Sequence, residues 1–316
     1  MSNSGRKINY AVRPAKNIER KMMRDFFARL SHLGRIEDYR YVGFGSKYFA
    51  DFIVFHRFLN ISKMVSIEGD IHNKERYEFN KPYPDIVMEW GHSSTVLPRL
   101  VYSDQRTIYW LDYDKLFDVS MLADTAVITE AASSGSVFCI SFNCQAPDFA
   151  DGSVEGLKDE LTKQVGKKHV PSTLECRGWK LRHTIFLKNC VTNEITSVLN
   201  RRNLTLDPTQ RLRCEQKLFF TYADGAPMAT IAFIFLDQED SLKIHDCRHA
   251  DLYFTRNGNE AFDISTPNLT IKEIRHLIEI RPDQKKLNTK VFTEKDADSV
   301  WQNYRYFPGF AEVESF

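Results

Sequence analysis

The chain has 316 residues, 42% hydrophobic and 27% charged, and its formal net charge of +1 gives no global field that would draw it onto nucleic acid or a membrane. The first ten residues, MSNSGRKINY, lack a signal-peptide core, and no apolar run nears the ~18–20 residues of a membrane span. Six scattered cysteines without a C-x-x-C pair fit reduced thiols in a cytoplasmic protein.

Residues 14–33 carry a helical pattern: Pro14 suits a first turn, and Ile18, Met22, Phe26 and Leu30 recur every four residues. Arg20, Lys21 and Arg24 fall opposite, on a face expected to be solvated or else to form a positive lip for an anion. Residues 1–40 hold ten Lys/Arg against four Asp/Glu. Strand patterns follow at 39–43, 63–67, 86–90, 107–111 and 136–142, alternating with helical stretches at 50–59 and 119–132. That alternation implies an α/β fold with a parallel sheet wound on both faces.

Residues 151–210 are polar, with helices expected near 153–164 and 192–201 and strands near 173–188. Over 158–217, thirteen Lys/Arg stand against six Asp/Glu. The β-rich runs 217–222 and 228–236 flank Asp224-Gly225, a strong hairpin signal. His245, Cys247 and His249 would share one strand face, where they could converge on zinc. No fourth ligand accompanies them, so a polar strand face is expected and no metal is assigned. Thr270 and Glu273 form a capping box before Ile274 and Leu277, and a last helix is expected over 294–304. It leads into the aromatic cluster Tyr304–Phe310, expected to pack as core.

Gly43-Phe44-Gly45-Ser46 follows a strand and opens a helix, where glycine lets the backbone approach a ligand and free N–H groups face it. Glu68 ends the second strand 23 residues after Gly45, near the separation at which a carboxylate reaches the ribose hydroxyls of a nucleoside. Gly69 follows it. Trp90-Gly91-His92-Ser93 ends the third strand, where Trp90 would stack on a base and His92 or Ser93 would meet its edge. Asp112-Tyr113-Asp114 ends the fourth. Ser134-Gly135-Ser136 precedes a strand, unlike a nucleophile elbow, and no P-loop motif occurs.

Four segments carry a family resemblance: Arg13 to Met22, Tyr41 to Phe49, Ser66-Ile67-Glu68, and Tyr304 to Pro308. Through them the chain resembles class I S-adenosylmethionine (SAM)-dependent methyltransferases, more narrowly the bacterial family named Putative O-methyltransferase. The resemblance implies a Rossmann-like sheet of parallel strands with a terminal antiparallel hairpin, helices on both faces, and SAM as cofactor. Gly43, Phe44, Gly45, Ser46, Glu68, Gly69, Trp90, Gly91, His92 and Asp112 would then hold SAM. Asp112, Tyr113 and Asp114 would face the methyl group, as general base or as groups that orient the acceptor. Arg13 and Lys16 become candidate substrate contacts.

The organisation expected is a lid helix (1–38), a SAM-binding core (39–150), a basic insertion recognising the acceptor (151–210), the hairpin (211–240) and a C-terminal extension (241–316). Lys47 stands where a third glycine is common, and no Asn/Asp-Pro-Pro-Tyr motif occurs. Two alternatives remain: a degenerate Rossmann-like module binding nucleic acid or a protein partner, and an NAD(P)-dependent oxidoreductase. The second is disfavoured by Phe49 at the last glycine position.

Overall fold

Apolar runs that are buried on both sides need helices over both faces of the sheet they form. The computed structural model, which describes residues 13–100, 105–149, 152–223, 225–281 and 283–307, meets that need. Its helices are α1 (Pro14–Ala28), α2 (Ala50–Leu59), α3 (Lys74–Asn80), α4 (Ser93–Val96), α5 (Val119–Ala131), α6 (Val154–Val165), α7 (Trp179–Arg202), α8 (Gln238–Lys243), α9 (Ile271–Ile280) and α10 (Glu294–Asn303). The strands are β1 (Arg40–Gly43), β2 (Lys63–Glu68), β3 (Ile86–Trp90), β4 (Thr107–Leu116), β5 (Val137–Asn143), β6 (Arg213–Ala223), β7 (Pro227–Leu236) and β8 (Phe262–Ile264).

The sheet order is β3-β2-β1-β4-β5-β7-β6-β8. The first five strands are parallel, and β7 runs antiparallel between β5 and β6. This is the Rossmann-like sheet expected from the sequence. Side chains along β4 alternate between two cores: Ile108 and Trp110 join a cluster with α1 and α2, while Tyr109, Leu111 and Tyr113 join one with α5 and α7. The hairpin turn keeps Gly225 at φ 99°, a left-handed backbone that glycine permits; Asp224 lies outside the described residues. So do residues 1–12 and, from the aromatic cluster, Pro308 and Phe310.

Several expectations need correction. Residues 173–188 hold no strand. Trp179, His183, Leu187, Cys190 and Ile195 are buried at helical spacing along α7, which packs on α5. There the helical period overrides the β preference of the Ile, Phe and Val residues. Residues 152–210 are the crossover from β5 to β6, and α7 belongs to the helical layer covering the sheet. The face of α1 expected to be solvated is partly interior, with Lys16, Glu19 and Arg20 buried beside the predicted Ile18, Met22 and Phe26 stripe. His245, Cys247 and His249 lie on two 3-10 turns rather than a strand. His249 is buried against Phe26, with ring centroids 4.5 Å apart, while His245 points to solvent, so the three do not converge.

The three residues of β8, too few to show an alternation, add a parallel edge to β6. The capping box at Thr270 is present, and a second one, Thr293 with Asp296, starts α10. All six cysteines are free thiols. Among the described residues no helix is long and apolar enough to cross a membrane.

Phe254 holds the C-terminal segment to the sheet: it is fully buried, with Phe220 and Tyr306 ring centroids at 5.9 Å and Phe262 at 6.5 Å. Phe254→Ala is expected to cost about 3–5 kcal/mol in urea unfolding. A cost below about 1 kcal/mol would show that this segment contributes little to the cooperative fold.

Candidate active site

In this sheet the chain winds outward from β1 in one direction and from β4 in the other, which opens a crevice beyond their carboxyl ends. The loop leaving β1 turns sharply there. Ser46 and Phe49 both have φ 46°, and the Phe49 N–H donates to the Gly45 carbonyl at 2.8 Å. The Gly45 N–H donates to Ser66 Oγ at 3.0 Å. A methyl at Gly45 would lie 2.5 Å from the Phe49 ring and 2.7 Å from Ser66 Oγ; one at Gly43 would lie 2.7 Å from the Tyr41 hydroxyl. Packing therefore requires both glycines.

The resulting cleft measures about 530 Å³. Phe44, Gly45, Ser46, Glu68, Gly69, Gly91, His92, Asp112, Tyr113 and Asp114 all line it. Gly43 and Trp90 do not. Gly43 closes β1 behind the loop, and the Trp90 indole lies edge-on to Tyr77 at 6.2 Å and beneath the Lys74 ammonium at 5.1 Å. It is Tyr77 that reaches the cleft. None of the described residues of 152–210 lines it.

Glu68 Oε1 accepts the Asp70 N–H at 2.8 Å, which fixes the carboxylate on the cleft wall. Burial pushes its carboxyl above the ordinary range, against the pull of the Asp70 and Gly69 N–H groups. Asp112-Tyr113-Asp114 lies inside β4, beside an irregularity in its pairing with β5 between Asp112 and Leu116. Such irregularities re-aim side chains near sites. The Tyr113 hydroxyl donates to Asp124 Oδ2 at 2.6 Å, and Ser93 Oγ donates to the same oxygen at 2.5 Å. Burial, with the Asp124 charge, pushes the phenol well above its usual range. Tyr113 therefore has its hydroxyl occupied and turns its ring toward Phe44, 5.1 Å away.

Lys16 does not line the cleft. Its Nζ donates to Asp112 Oδ1 at 2.7 Å and to the Tyr222 hydroxyl at 3.2 Å, pairs with Glu19 Oε2 at 2.6 Å, and sits 4.7 Å from the Trp110 ring centroid. Burial alone would lower its pKa, but Asp112 and Glu19 outweigh it and hold the ammonium well above the usual lysine value. Glu19 is raised by burial and hydrogen-bonded to Thr230. Arg13 caps the start of α1, its carbonyl accepting the Asn17 N–H, and also stays out of the cleft lining.

The sequence reading missed Asp124, Asp51 and Arg20. Asp124 had a signal, an acid among the apolar residues in the middle of α5. Asp51 opens α2, lines the cleft and accepts from the Tyr41 hydroxyl. Arg20 was placed on a face read as solvated or as a positive lip; it is only 5% exposed and lines the cleft.

Removing the Lys16 cation leaves the buried Glu19 and the part-buried Asp112 uncompensated, so Lys16→Met is expected to cost about 3–5 kcal/mol at pH 7. Because its folded pKa is raised, the lysine contributes fully below its unfolded value near ~10.4 and loses that contribution only as pH rises through the higher folded value. The cost should shrink as pH falls and Glu19, whose carboxyl burial raises, takes up a proton. Urea melts at pH 7 and pH 4.5 that gave equal costs would show that the ion pairs are not the cause.

Residues 8–315 match the family described as Putative O-methyltransferase. No curated protein matches the chain. Among solved structures, Trm1 from Pyrococcus horikoshii with S-adenosyl-L-methionine is similar at 9% identity over 91% of this chain and 76% of that one, with TM-score 0.44. LepI in complex with SAM is similar at 11% identity over 63% of this chain, TM-score 0.33, and the chain spans only 43% of its length. Geranyl diphosphate methyltransferase in complex with GPP and sinefungin is similar at 11% identity over 65% of this chain and 75% of that one, with TM-score 0.34. Likenesses this distant assign no chemistry here.

Proposed function

The chain belongs to the Putative O-methyltransferase family, and on that premise we propose that it transfers a methyl group from SAM to an oxygen of an acceptor bound over Asp112. The observation that carries this reading is a single cleft lined in strand order by the Gly45-Ser46 loop, Glu68, Gly91-His92 and Asp112. The residues fit the cofactor. A cleft of about 530 Å³ suits a small molecule. Glu68 supplies a fixed carboxylate for a vicinal diol, and His92 and Ser93 offer polar groups to a base edge. SAM, when bound, supplies an electrophilic methyl on a cationic sulfur.

The chain's own residues orient and exclude. Lys16 clamps one oxygen of Asp112, which fixes where that carboxylate points toward an acceptor. Asp112 then positions the acceptor hydroxyl and takes its proton. Tyr113, with its hydroxyl committed to Asp124, forms with Phe44 an apolar wall that keeps water from the line of transfer. The antiparallel β7 fits poorly with a dinucleotide oxidoreductase, whose sheet is usually parallel throughout.

Saturating SAM or S-adenosylhomocysteine (SAH) is expected to raise the melting temperature; at 100 times Kd the gain is about 2.7 kcal/mol. Glu68→Ala should abolish the shift, and a wild-type protein unmoved by millimolar SAH would sink the reading. Once an acceptor is in hand, Asp112→Asn should lower kcat about 10²–10⁴-fold while SAH still binds. Full turnover by that variant would remove Asp112 from the chemistry.

A further inference from the structure

A second hollow, of about 630 Å³, lies between the end of α1, the turn at Asp251–Tyr253 and the residues that follow α9 and α10, and it shares no lining residue with the cleft. Arg29, Arg281 and Arg305 line it, with two acids that are already engaged: Asp25 by Arg24 and the Tyr306 hydroxyl, Asp251 by Arg248. Among the described residues none of the three arginines pairs with a carboxylate. Arg29 reaches the Arg248 carbonyl, at 3.4 Å. Arg281 has its guanidinium carbon 4.1 Å from the Tyr304 ring centroid; that of Arg305 lies 5.6 Å from the same ring, and its Nε donates to the Tyr304 hydroxyl at 3.0 Å. Such stacking uses the face of a guanidinium and leaves the N–H donors along its edge for another partner. The Arg305 hydrogen bond, with the field of Arg281, lowers the Tyr304 phenol from its usual value, as a positive site does.

We propose that this hollow binds a nucleoside phosphate, with the phosphate on Arg29, Arg281 and Arg305 and the base on Tyr253. A phosphate offers several guanidinium forks more oxygens and more charge than a carboxylate can. The base has a surface prepared for it. Tyr253 also lines the hollow and is 43% exposed, yet its hydroxyl donates to Asn303 Oδ1 at 3.3 Å and Phe262 meets its ring edge-on at 5.6 Å. A ring fixed at its tip and along one side stacks on a base with little loss of freedom. Gln302, exposed on the same hollow, adds a donor and an acceptor that suit a base edge. The same chemistry reaches the hollow as a free nucleotide or as one residue of a single strand. Because the hollow lies apart from the cleft, it would bind whether or not the cleft takes SAM.

The test measures UMP and inorganic phosphate by calorimetry, and a labelled oligouridine by fluorescence anisotropy across a salt series, all on the full chain. UMP should bind at least about tenfold more tightly than phosphate, because only UMP carries a base to stack. Arg281→Gln and Arg305→Gln should each weaken UMP about tenfold, the scale of a lost charged hydrogen bond, with melting temperatures unchanged because both side chains are exposed. Tyr253→Leu should weaken UMP about 5- to 150-fold, and Tyr253→Phe far less, since it keeps the ring. Glu68→Ala, which alters the cleft, should leave UMP affinity as it is. An oligouridine bound no more tightly than UMP assigns the hollow to a free nucleotide. One bound more tightly, with a log–log salt slope of about −2 from three phosphates, assigns it to a strand. No UMP binding at millimolar concentration, phosphate bound as tightly as UMP, or unchanged affinity in the arginine variants or in Tyr253→Leu would overturn the proposal. Loss of UMP binding in Glu68→Ala would overturn it too, by placing the nucleotide in the cleft.

Discussion

Lys16 ties α1 to three strands of the sheet, β4, β6 and β7. Its ammonium lies between Asp112 of β4 and Glu19 of its own helix, and it also donates to the Tyr222 hydroxyl of β6. Glu19 in turn accepts from Thr230 on β7. Two carboxylates and one ammonium buried together are expensive in desolvation, and such clusters contribute less to net stability than to fixing one arrangement over its competitors. Here the arrangement fixed is the seat of α1 against the centre of the sheet. Arg20, one helical turn beyond Lys16, is carried to the cleft wall by the same seating. Asp112 is aimed by it as well.

The cleft exists because of topology, and its lining because of strand length. Parallel strands that fan out from β1 and β4 leave a crevice at their carboxyl ends whatever their sequence. What makes this one specific is that β4 continues through Asp112, Tyr113 and Asp114, so three polar or aromatic side chains project where shorter strands would already have turned away. Gly45 is confined by Phe49 and Ser66 rather than left open, so the loop is tight. Packing that close gives a rigid loop without a third glycine, and Lys47 at that position sits over Tyr48, with Nζ 5.0 Å from the ring centroid.

The legible parts of the sequence were those governed by local rules. Apolar runs ending in glycine or acid gave the five parallel strands, the Asp-Gly pair marked the hairpin, and Thr270 with Glu273 marked α9. The separation of Gly45 and Glu68 located the wall of the cleft. The illegible parts depended on partners far along the chain. Lys16 reads as a candidate substrate contact because the carboxylate it clamps, Asp112, lies 96 residues away. Arg20 read as part of a solvated face or a positive lip, with nothing local to say that it is buried. The aromatic and β-branched residues of 179–188 looked strand-like until their helical period was matched to a surface, α5, that only the fold supplies. Asp124 was visible only as an acid in the wrong place, and β8 as nothing at all.

The balance of charge in the cleft has a consequence for the order of events on the proposed reading. Asp51, Glu68, Asp112 and Asp114 line it, against Arg20 and Lys115. Burial pushes both Asp51 and Glu68 upward, and a positive ligand beside them opposes that rise. A sulfonium donor brings that positive charge and loses it at transfer. On that reading the same wall holds a sulfonium donor more tightly than its uncharged product. Release is then favoured by the chemistry itself, through loss of one charge in a partly desolvated site where a unit charge is worth several times its value in water.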